Sequence, residues 1–403
     1  MPEKTEEPRA IVVGGGPAGL TAAITLADAG IDTVLVGKKP ARPDNRTTAL
    51  FAGSITALEA LGVWPVCARE AAPLRSLRIV DDTGRLWRAP EVKFDASEID
   101  LDAFGYNIEN VRLVAAMEQR AAALPSLRVI EDEVRGVTPG AAEVTVTLAS
   151  GATLHATLVV AADGRGSLCR QAAGITIDSR TYPQAALTVC VKHTRPHHDT
   201  STEFHTPAGP VTLVPLSGLR SSVVWVLDPA QADVIRDMDD EALGAEIERA
   251  SHSILGKITV EPGRGLFPLS VSTARRFGAK RIALVGEAAH VIPPIGAQGL
   301  NLGLRDATSI GKIAIATRRS GGDVGGEDVL AAYEKMRRAD VTSRSVAIDM
   351  LNRTLLTDFL PVQGLRGLGL YMLEHIGPLR RAVMREDLRP SAAKPRFMRG
   401  ESV

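Results

Sequence analysis

The sequence is poor in cysteine and contains no long uninterrupted apolar run. Its three cysteines lie far apart and form neither a CxxC pair nor a metal-ligand spacing, so no metal site is predicted and a reducing compartment is favoured. No stretch of about 18 uninterrupted apolar residues occurs, so we expect no membrane span. The start, MPEKTEEPR, is polar and acidic, unlike a signal peptide, and we expect a cytoplasmic protein.

The sequence also lacks an excess of charge of either sign. Lys+Arg and Asp+Glu both number 47, so the net charge gives no basis for a nucleic-acid partner. The 403 residues are enough for one large domain or two to three ordinary ones. A hydrophobic content of 45% argues against global disorder and allows a sizeable core.

The chain opens with a pattern that predicts a strand, a glycine turn and a helix. Residues 9–13, RAIVV, form a short β-branched run, and PAGLTAAITLADAG follows as an alanine-rich helix that Gly30 ends. Between them stands Gly14-x-Gly16-x-x-Gly19, the spacing that lets a helix N-terminus bind a pyrophosphate. The pattern predicts dinucleotide binding on a parallel sheet; a purely structural glycine turn is the alternative.

The acid that such sites use to bind the adenosine ribose is missing. It is expected at the end of the second strand, residues 32–36, but Gly37 stands there, followed by two lysines. Either the site is degraded, or the ribose contact has moved or is dispensable. Loss of one such charge-assisted contact would weaken binding by about 1–3 kcal/mol.

Two further segments suit a ligand at the carboxyl edge of the sheet. Asp163-Gly164 ends the apolar strand LVVAAD, although an ordinary Asp-Gly turn would look the same. Residues 281–306 read as a buried strand delivering Gly286-Glu287, a loop rich in proline and glycine, and then a helix. Backbone N–H groups near residues 299–301 would stabilise negative charge on a bound ring system.

The remaining pattern alternates sheet and helix. We predict the following elements: a helix over 54–62 with Ser54 as N-cap, a strand pair over 76–92, a helix over 111–124, a β-meander over 127–163, a separate antiparallel sheet over 185–228, a helix over 241–255, a long helix over 298–319, and a mostly helical end from Glu327.

Four segments together carry a family resemblance. GGGPAGL, NRTTALFAGS, AADGRGS and VGEAAHVIPPIGAQGLNLGLRDA resemble the ubiquinone-biosynthesis hydroxylases, which are FAD-dependent aromatic monooxygenases similar to p-hydroxybenzoate hydroxylase. The resemblance covers nearly the whole chain. It implies a mixed α/β fold, in which a Rossmann-like FAD-binding domain (1–75, 101–179 and 276–345) is interleaved with an antiparallel-sheet substrate domain (76–100 and 180–275) and followed by a helical C-terminus (346–403).

The resemblance also implies a set of cofactor-binding residues. The glycines of the opening motif would hold the FAD pyrophosphate, Arg46 would lie near the flavin, and Arg112 near the ribityl or phosphate region. The remaining members lie in the family's DG pair, its GD pair and the loop that flanks the isoalloxazine. The full set is Gly14, Gly16, Gly19, Arg46, Arg112, Asp163, Gly164, Gly286, Glu287, Pro293, Gly299, Leu300 and Asn301. The chain departs from the family at Gly37, normally glutamate, and at Glu287, normally aspartate.

The implied reaction is hydroxylation of an aromatic ring through a flavin C4a-hydroperoxide, with NAD(P)H or another electron donor and molecular oxygen as co-substrates. The expected substrate is a polyprenylated phenol; a soluble phenol and a flavin-poor scaffold role are the alternatives. Several histidines and Tyr182 lie in or near the second sheet, but we assign no catalytic residue. Residues 365–386 suggest either peripheral contact at the inner face of a membrane or a helix pair packed on the FAD domain. Other ubiquinone-synthesis proteins are further candidate partners.

Overall fold

The computed structural model describes residues 9–38, 44–84, 89–294, 296–356 and 377–388, together with Tyr371, His375 and Met398. Within the predicted docking segment 365–386, residues 365–370, 372–374 and 376 therefore lie outside the described residues. The domain boundaries given above remain predictions.

A parallel sheet forms the centre of the nucleotide-binding half. Five short aliphatic strands run parallel, and a two-residue antiparallel strand completes one edge. The order across the sheet is Gly278–Ala279, Ile282–Leu284, Leu158–Ala161, Ala10–Val13, Thr33–Val36 and Leu127–Ile130. The middle strands are buried along their whole length, as expected for a sheet covered on both faces.

Four long helices belong to this half: Pro17–Asp28, Asn110–Ala122, Gln298–Arg319 and Glu327–Leu356. The first and third pack very closely, because a Cβ atom at Gly311 would lie 2.4 Å from Thr25 Cγ2. Gly30 adopts a φ of +72°, so it ends the first helix as predicted.

A large, mainly antiparallel sheet forms the second half. Its nine described strands are Ser76–Asp81, Val92–Asp95, Ile177–His193, Thr200–His205, Pro210–Leu216, Arg220–Leu227, Ile258–Val260, Gly265–Ala274 and His290–Val291. The helices Pro229–Asp237 and Asp240–Ala250 pack on one face of it, where Leu243 of the second helix shares a buried core with Phe204 and Trp225 of the sheet. We call this the helix-covered face and the opposite one the open face.

Two smaller sheets and several short helices complete the described elements. One three-stranded sheet comprises Thr47–Phe51, Gly105–Glu109 and Ala72–Leu74, and another comprises Val134–Pro139, Val144–Leu148 and Thr153–Ala156. The short helices are Ala52–Ala60, Trp64–Cys67 and Leu168–Ala172, with 3-10 turns at Ala68–Glu70, Ala96–Ile99 and Gly286–Ala288.

The structure corrects several predicted boundaries. The meander covers only 134–156, because the strands on either side of it belong to the parallel sheet. The first short helix begins at Ala52 rather than Ser54. Ser54 therefore lies within the helix and is not its N-cap, and its hydroxyl donates to Asn301 Oδ1 at 2.7 Å. The predicted helix 241–255 spans Asp240–Ala250, and the long helix spans Gln298–Arg319 as predicted.

The last described helix, Gly377–Leu388, packs on the segment that follows the second strand of the large sheet. Met384 is buried with Phe94 and Phe104, and Arg380 pairs with Glu98 at 2.6 Å while its guanidinium stands 4.7 Å from the Phe94 ring centroid. The described helix thus contacts residues 92–104, which lie mostly in the predicted substrate segment 76–100, and the predicted packing of a helix pair on the FAD domain stays a prediction.

Candidate flavin site

The carboxyl ends of four parallel strands place most of the predicted cofactor residues along one edge of the sheet. Gly14 follows the first strand, Gly37 the second, Asp163 the strand Leu158–Ala161, and Gly286 the strand Ile282–Leu284. This edge is where open parallel sheets bind their ligands. The topology thus brings together motifs that are separated by up to 272 positions in the sequence.

The opening glycines form a tight turn against the neighbouring strand. Gly14 has a φ of +116°, and a Cβ atom there would lie 2.2 Å from the Ala162 carbonyl oxygen. A Cβ atom at Gly19 would lie 1.9 Å from Gly14 O, whereas one at Gly16 would meet nothing within 4 Å. Gly14 and Gly19 are therefore required by the fold, and Gly16 borders open space in front of the helix.

Two helix N-termini at this site carry no side-chain cap. The helix Pro17–Asp28 has Gly16 as N-cap, and the helix Gln298–Arg319 has Ala297, in the left-handed conformation at φ 53°. Neither helix has an acidic residue in its first turn. Their first N–H groups and positive dipole ends remain available for negatively charged groups, such as a pyrophosphate and an electron-rich ring edge.

Asp163 is held by its own turn. Its carboxylate accepts hydrogen bonds from Ser167 Oγ at 2.6 Å and from the Cys169 N–H at 3.1 Å. Gly164 follows with a φ of +79° and open space where a side chain would stand. The pair therefore leaves room for a ligand to approach the backbone, although the Asp163 contacts also fit the ordinary-turn alternative.

Gly286 lies deep in the site, and Glu287 lies at its rim. The Gly286 N–H donates to Asp306 Oδ2 at 3.0 Å, and a Cβ atom at 286 would lie 3.3 Å from Ala18 Cβ at the start of the first helix. The Glu287 side chain is 51% exposed and pairs with Arg165 at 3.2 Å. Its carboxylate is thus accessible, and the extra methylene relative to aspartate is accommodated on the open side.

Of the two predicted arginines, Arg46 is the one that interacts with another candidate residue, Glu287. Its guanidinium pairs with Asp44 at 2.7 Å and stands 5.6 Å from the Phe267 ring centroid. Burial tends to raise the pKa of the Asp44 carboxyl, but hydrogen bonds from Arg46 and Asn110 outweigh it and hold this pKa below its usual range. The hydrogen bond to Asp44 raises the pKa of Arg46, to which the charge of Glu287 also contributes.

Arg112 makes its ion pair with Glu70 at 2.9 Å, and both side chains are about half exposed. Glu70 lies outside the predicted set, so the described contacts of Arg112 do not join it to the other candidates. Its role near the ribityl or phosphate group stays a prediction.

Asn301 anchors the loop that was predicted to flank the flavin ring. Its side-chain oxygen accepts from the Phe51 N–H at 3.0 Å and from Ser54, and its amide donates to Ala49 O at 2.8 Å and Ala297 O at 2.7 Å. Two of these bonds fix the helix start against the strand Thr47–Phe51, the bond from Ser54 joins it to the helix Ala52–Ala60, and the bond to Ala297 holds its own first turn. Asn301 is thus a positioning residue for the loop, because its side chain has no group left to bind a ring.

The other loop residues differ in exposure. Pro293 is buried, Leu300 is partly buried against the core, and a Cβ atom at Gly299 would meet nothing within 4 Å. Gly299 therefore leaves the helix N-terminus accessible from the open side, as a flat ring would require.

One charged network of this region was missed in the sequence. Asp306 is almost completely buried and binds Arg337 at 2.7 Å and His290 at 2.6 Å, in addition to Gly286. No sequence pattern predicted this network, whose partners lie 16 and 31 positions from Asp306. The network fixes the Gly286 turn to two long helices.

These features fit FAD. The cradle at Gly16, the two uncapped helix ends and the accessible carboxylate of Glu287 at the rim match a dinucleotide with two phosphates and an electron-rich ring. Together the fold and the site define an FAD-binding flavoprotein.

Comparison with known proteins agrees with the assignment of an FAD site. The family model described as FAD binding domain matches residues 7–346. The chain is 34% identical to ubiquinone hydroxylase UbiL of Rhodospirillum rubrum, over 97% of this chain and 92% of that protein. It is 32% identical to 3-demethoxyubiquinol 3-hydroxylase of Escherichia coli, over 95% and 99% of the two chains.

Solved structures share the fold. p-Nitrophenol 4-monooxygenase PnpA from Pseudomonas putida superposes with a TM-score of 0.79 at 21% identity, covering 95% of this chain and 98% of that one. Klebsiella pneumoniae HpxO, complexed with FAD and uric acid, gives 0.74 at 21% identity over 94% and 96% of the two chains. The chain belongs to the FAD-binding ubiquinone-hydroxylase family.

Proposed function

We propose that this protein binds FAD and uses it to hydroxylate the ring of a polyprenylated phenol in ubiquinone biosynthesis, with molecular oxygen and NAD(P)H or another electron donor. The observation that carries the proposal is the pair of helix N-termini without side-chain caps, on helices that meet where a Cβ atom at Gly303 would lie 3.4 Å from Ala18 Cβ, in a chain whose relatives are named ubiquinone hydroxylases. The ubiquinone precursor as substrate is taken from those relatives.

Different residues would hold different parts of the cofactor. The N–H groups that follow Gly16 would hold the pyrophosphate, and Asp163, Gly164 and Glu287 would lie beside the ribityl chain. The N–H groups of residues 298–300 would face the ring and stabilise negative charge on it, with Arg46 nearby. When bound, FAD would supply the activation of oxygen, with one oxygen atom transferred to the substrate ring and the other released as water.

The open face of the large sheet would form the substrate wall. The apolar runs VTLVPL and SVVWVL do not supply this wall with all their side chains, since Val211, Leu213, Val223 and Trp225 pack beneath the helices. The alternate positions, among them Thr212 and Val224, lie on the open face. A wall of small and mixed side chains suits an aromatic ring that must be held close to a flavin and away from water.

Contact with a membrane would bring the protein to a lipid-borne substrate. None of the helices in the described part of the chain is long and apolar enough to span a membrane. We propose a cytoplasmic protein that docks peripherally through part of 365–386; Arg380 is already engaged by Glu98, which leaves the exposed Arg381 as a basic residue for such contact. Flotation with anionic vesicles, with and without this segment's Arg381→Glu change, would test the contact.

Turnover tests the main proposal. The purified protein would be loaded with FAD, and oxygen uptake and hydroxylated product would be measured with a short-chain prenylphenol and with the same phenol lacking the prenyl chain. We expect about one flavin per chain and product from the prenylated compound. Equal or better turnover of the unprenylated phenol would favour a soluble substrate, and a folded protein without FAD uptake would favour the scaffold alternative.

A further inference from the structure

The open face of the large sheet contains a carboxylate–imidazole pair with no assigned role. Glu203 and His205 lie on the strand Thr200–His205, on either side of Phe204. Phe204 belongs to the core beneath the helices, so alternation along the strand places Glu203 and His205 on the open face.

The open face looks toward the predicted flavin segment. Ser222, on this face, accepts a hydrogen bond from Thr47 Oγ1 at 2.8 Å, and the Cys190 thiol lies 3.8 Å from Asn45 O. Phe267, also on this face, lies beneath the guanidinium of Arg46. Three positions on this face thus contact residues 45–47, which adjoin the candidate flavin site.

Glu203 lies in the same wall. In the sheet register it stands opposite Thr212, which stands opposite Val224, which in turn stands opposite Thr188. Neighbouring strands are about 4.8 Å apart, so Glu203 is about 10 Å from Val224 along the wall. Its carboxylate is therefore on the same sheet face as Ser222 and Cys190, which contact residues 45–47.

Both ends of the Glu203 carboxylate are held. Oε1 receives a hydrogen bond from His205 Nε2 at 2.7 Å, and Oε2 receives one from Thr212 Oγ1 at 3.3 Å. Each oxygen has a second lone-pair direction, so the carboxylate can accept one more donor. The Glu203 side chain keeps 20% of its surface accessible although it lies deep in the protein, while that of His205 keeps 4%.

His205 is an unusual partner for a purely structural pair. Its Nδ1 is buried and has no hydrogen-bond partner among the described residues. A proton on Nε2 lets the ring donate to Glu203, while Nδ1 is left without a described partner. Burial tends to raise the pKa of Glu203, yet the hydrogen bond and the charge of His205, together with the hydrogen bond from Thr212, outweigh it and lower this pKa.

We propose that Glu203 is a catalytic residue that accepts the hydrogen bond of the substrate's phenolic hydroxyl, and that His205 and Thr212 position its carboxylate. This inference rests on the proposed function, because it assigns the atom that recognises the phenol. Drawing the phenolic proton toward Oε1 or Oε2 weakens the O–H bond and moves electron density into the ring. If the proton transfers, the O–H bond breaks, a carboxyl O–H bond forms, and the phenolate keeps the electron pair.

The experiment compares a phenol with its aryl methyl ether, which keeps the ring but has no hydroxyl proton to donate. Binding of both to the FAD-loaded protein would be measured by calorimetry, and turnover by product formation. We expect the wild type to bind the phenol at least tenfold more tightly than the ether. Glu203→Gln should reduce this preference to about twofold and lower kcat for the phenol by about 100-fold.

Controls separate this role from a structural one. Glu203→Gln should bind FAD as tightly as the wild type, Glu203→Asp should recover part of the preference, and Thr212→Val should reduce it less than Glu203→Gln. The matched control is Asp178→Asn, an exposed carboxylate of the same sheet paired with Arg275. If Glu203→Gln folds and binds FAD but still prefers the phenol tenfold, the inference about Glu203 is wrong, whether or not the wild type turns over. If the wild type prefers the phenol but shows no turnover, the proposed function is contradicted instead.

Discussion

The backbone of Gly37 lies directly against the backbone of Gly15. A Cβ atom at position 37 would stand 2.6 Å from Gly15 N and 2.8 Å from Gly15 Cα, distances that no side chain can occupy without moving the glycine turn. The missing ribose acid is thus more than the loss of one carboxylate. In this chain the second strand and the turn are packed so closely that the position accepts only glycine.

Restoring the acid should therefore weaken FAD binding. Gly37→Ala and Gly37→Glu would both displace the Gly14–Gly15 backbone, which adjoins the proposed pyrophosphate site. We expect the Kd for FAD to rise about tenfold or more in each variant, which corresponds to ~1.4 kcal/mol or more. Fluorescence quenching of FAD on titration with protein would measure it.

The control for this pair is Gly136→Ala, where the added Cβ atom would lie an ordinary 3.5 Å from Thr147 Cβ in a neighbouring strand. It should leave the Kd unchanged. Tighter FAD binding by Gly37→Glu would show instead that the turn can move and that the acid alone was limiting.

Gly16 and Gly14 should respond differently to substitution, because only one of them is required by the fold. Gly16→Val would extend into the open space before the helix, so we expect a folded protein with FAD affinity reduced at least tenfold. Gly14→Ala would collide with the Ala162 carbonyl at positive φ and should lower the melting temperature as well. Thermal unfolding without FAD, followed by FAD titration, separates the two effects; a Gly16→Val protein with unchanged FAD affinity would remove Gly16 from the site.

The glycine turn, the parallel sheet and the long helix Gln298–Arg319 were predictable because each depends on local pattern. Periodicity marks a helix, and a β-branched run followed by glycines marks a buried strand and its turn. Ser54 was misjudged because a serine before an apolar run looks like an N-cap, while its real partner, Asn301, is 247 positions away.

The sheet faces could not be assigned in the same way. Alternation told us that half of the residues in VTLVPL face each side, but only tertiary packing decides which half lies beneath the helices. For the same reason the pairing of His205 with Glu203 was not anticipated, even though the two residues are only two positions apart. Their importance depends on the face that the strand presents.

The three thiols should be nearly unreactive in the folded protein. Burial raises the pKa of Cys67 to about 11 and that of Cys190 to about 11, and it raises the pKa of Cys169 well above its usual range. At pH 8 only about one thiolate in a thousand would be present at Cys67 or Cys190, which makes reaction with Ellman's reagent slow. We expect negligible labelling over minutes in the native state and three thiols per chain in guanidinium chloride; one rapidly labelled native thiol would contradict this.

The buried pair of Asp306 and Arg337 should make stability depend on acid pH. Burial tends to raise the pKa of Asp306, but the charges of His290 and Arg337 outweigh it and lower this pKa below its ordinary value. Because the folded-state pKa is the lower one, the contribution is fully present above the unfolded-state pKa of about 3.9 and is lost as the pH falls through the folded-state value.

Replacing Asp306 by Asn tests this dependence. The variant leaves the buried guanidinium of Arg337 with Asp340 as its remaining carboxylate partner, at 2.5 Å, and removes the partner of His290, so we expect the free energy of unfolding at pH 7 to fall by about 1–3 kcal/mol. Between pH 5 and pH 2 the variant should lose less further stability than the wild type, because the titrating group is gone. Guanidinium unfolding of the FAD-free protein across this range would measure both effects. The control is Asp178→Asn, whose pair with Arg275 is exposed and screened by water, so its loss should change the free energy of unfolding little. An equal loss of stability in the two variants would mean that the buried network does not hold the Gly286 turn in place.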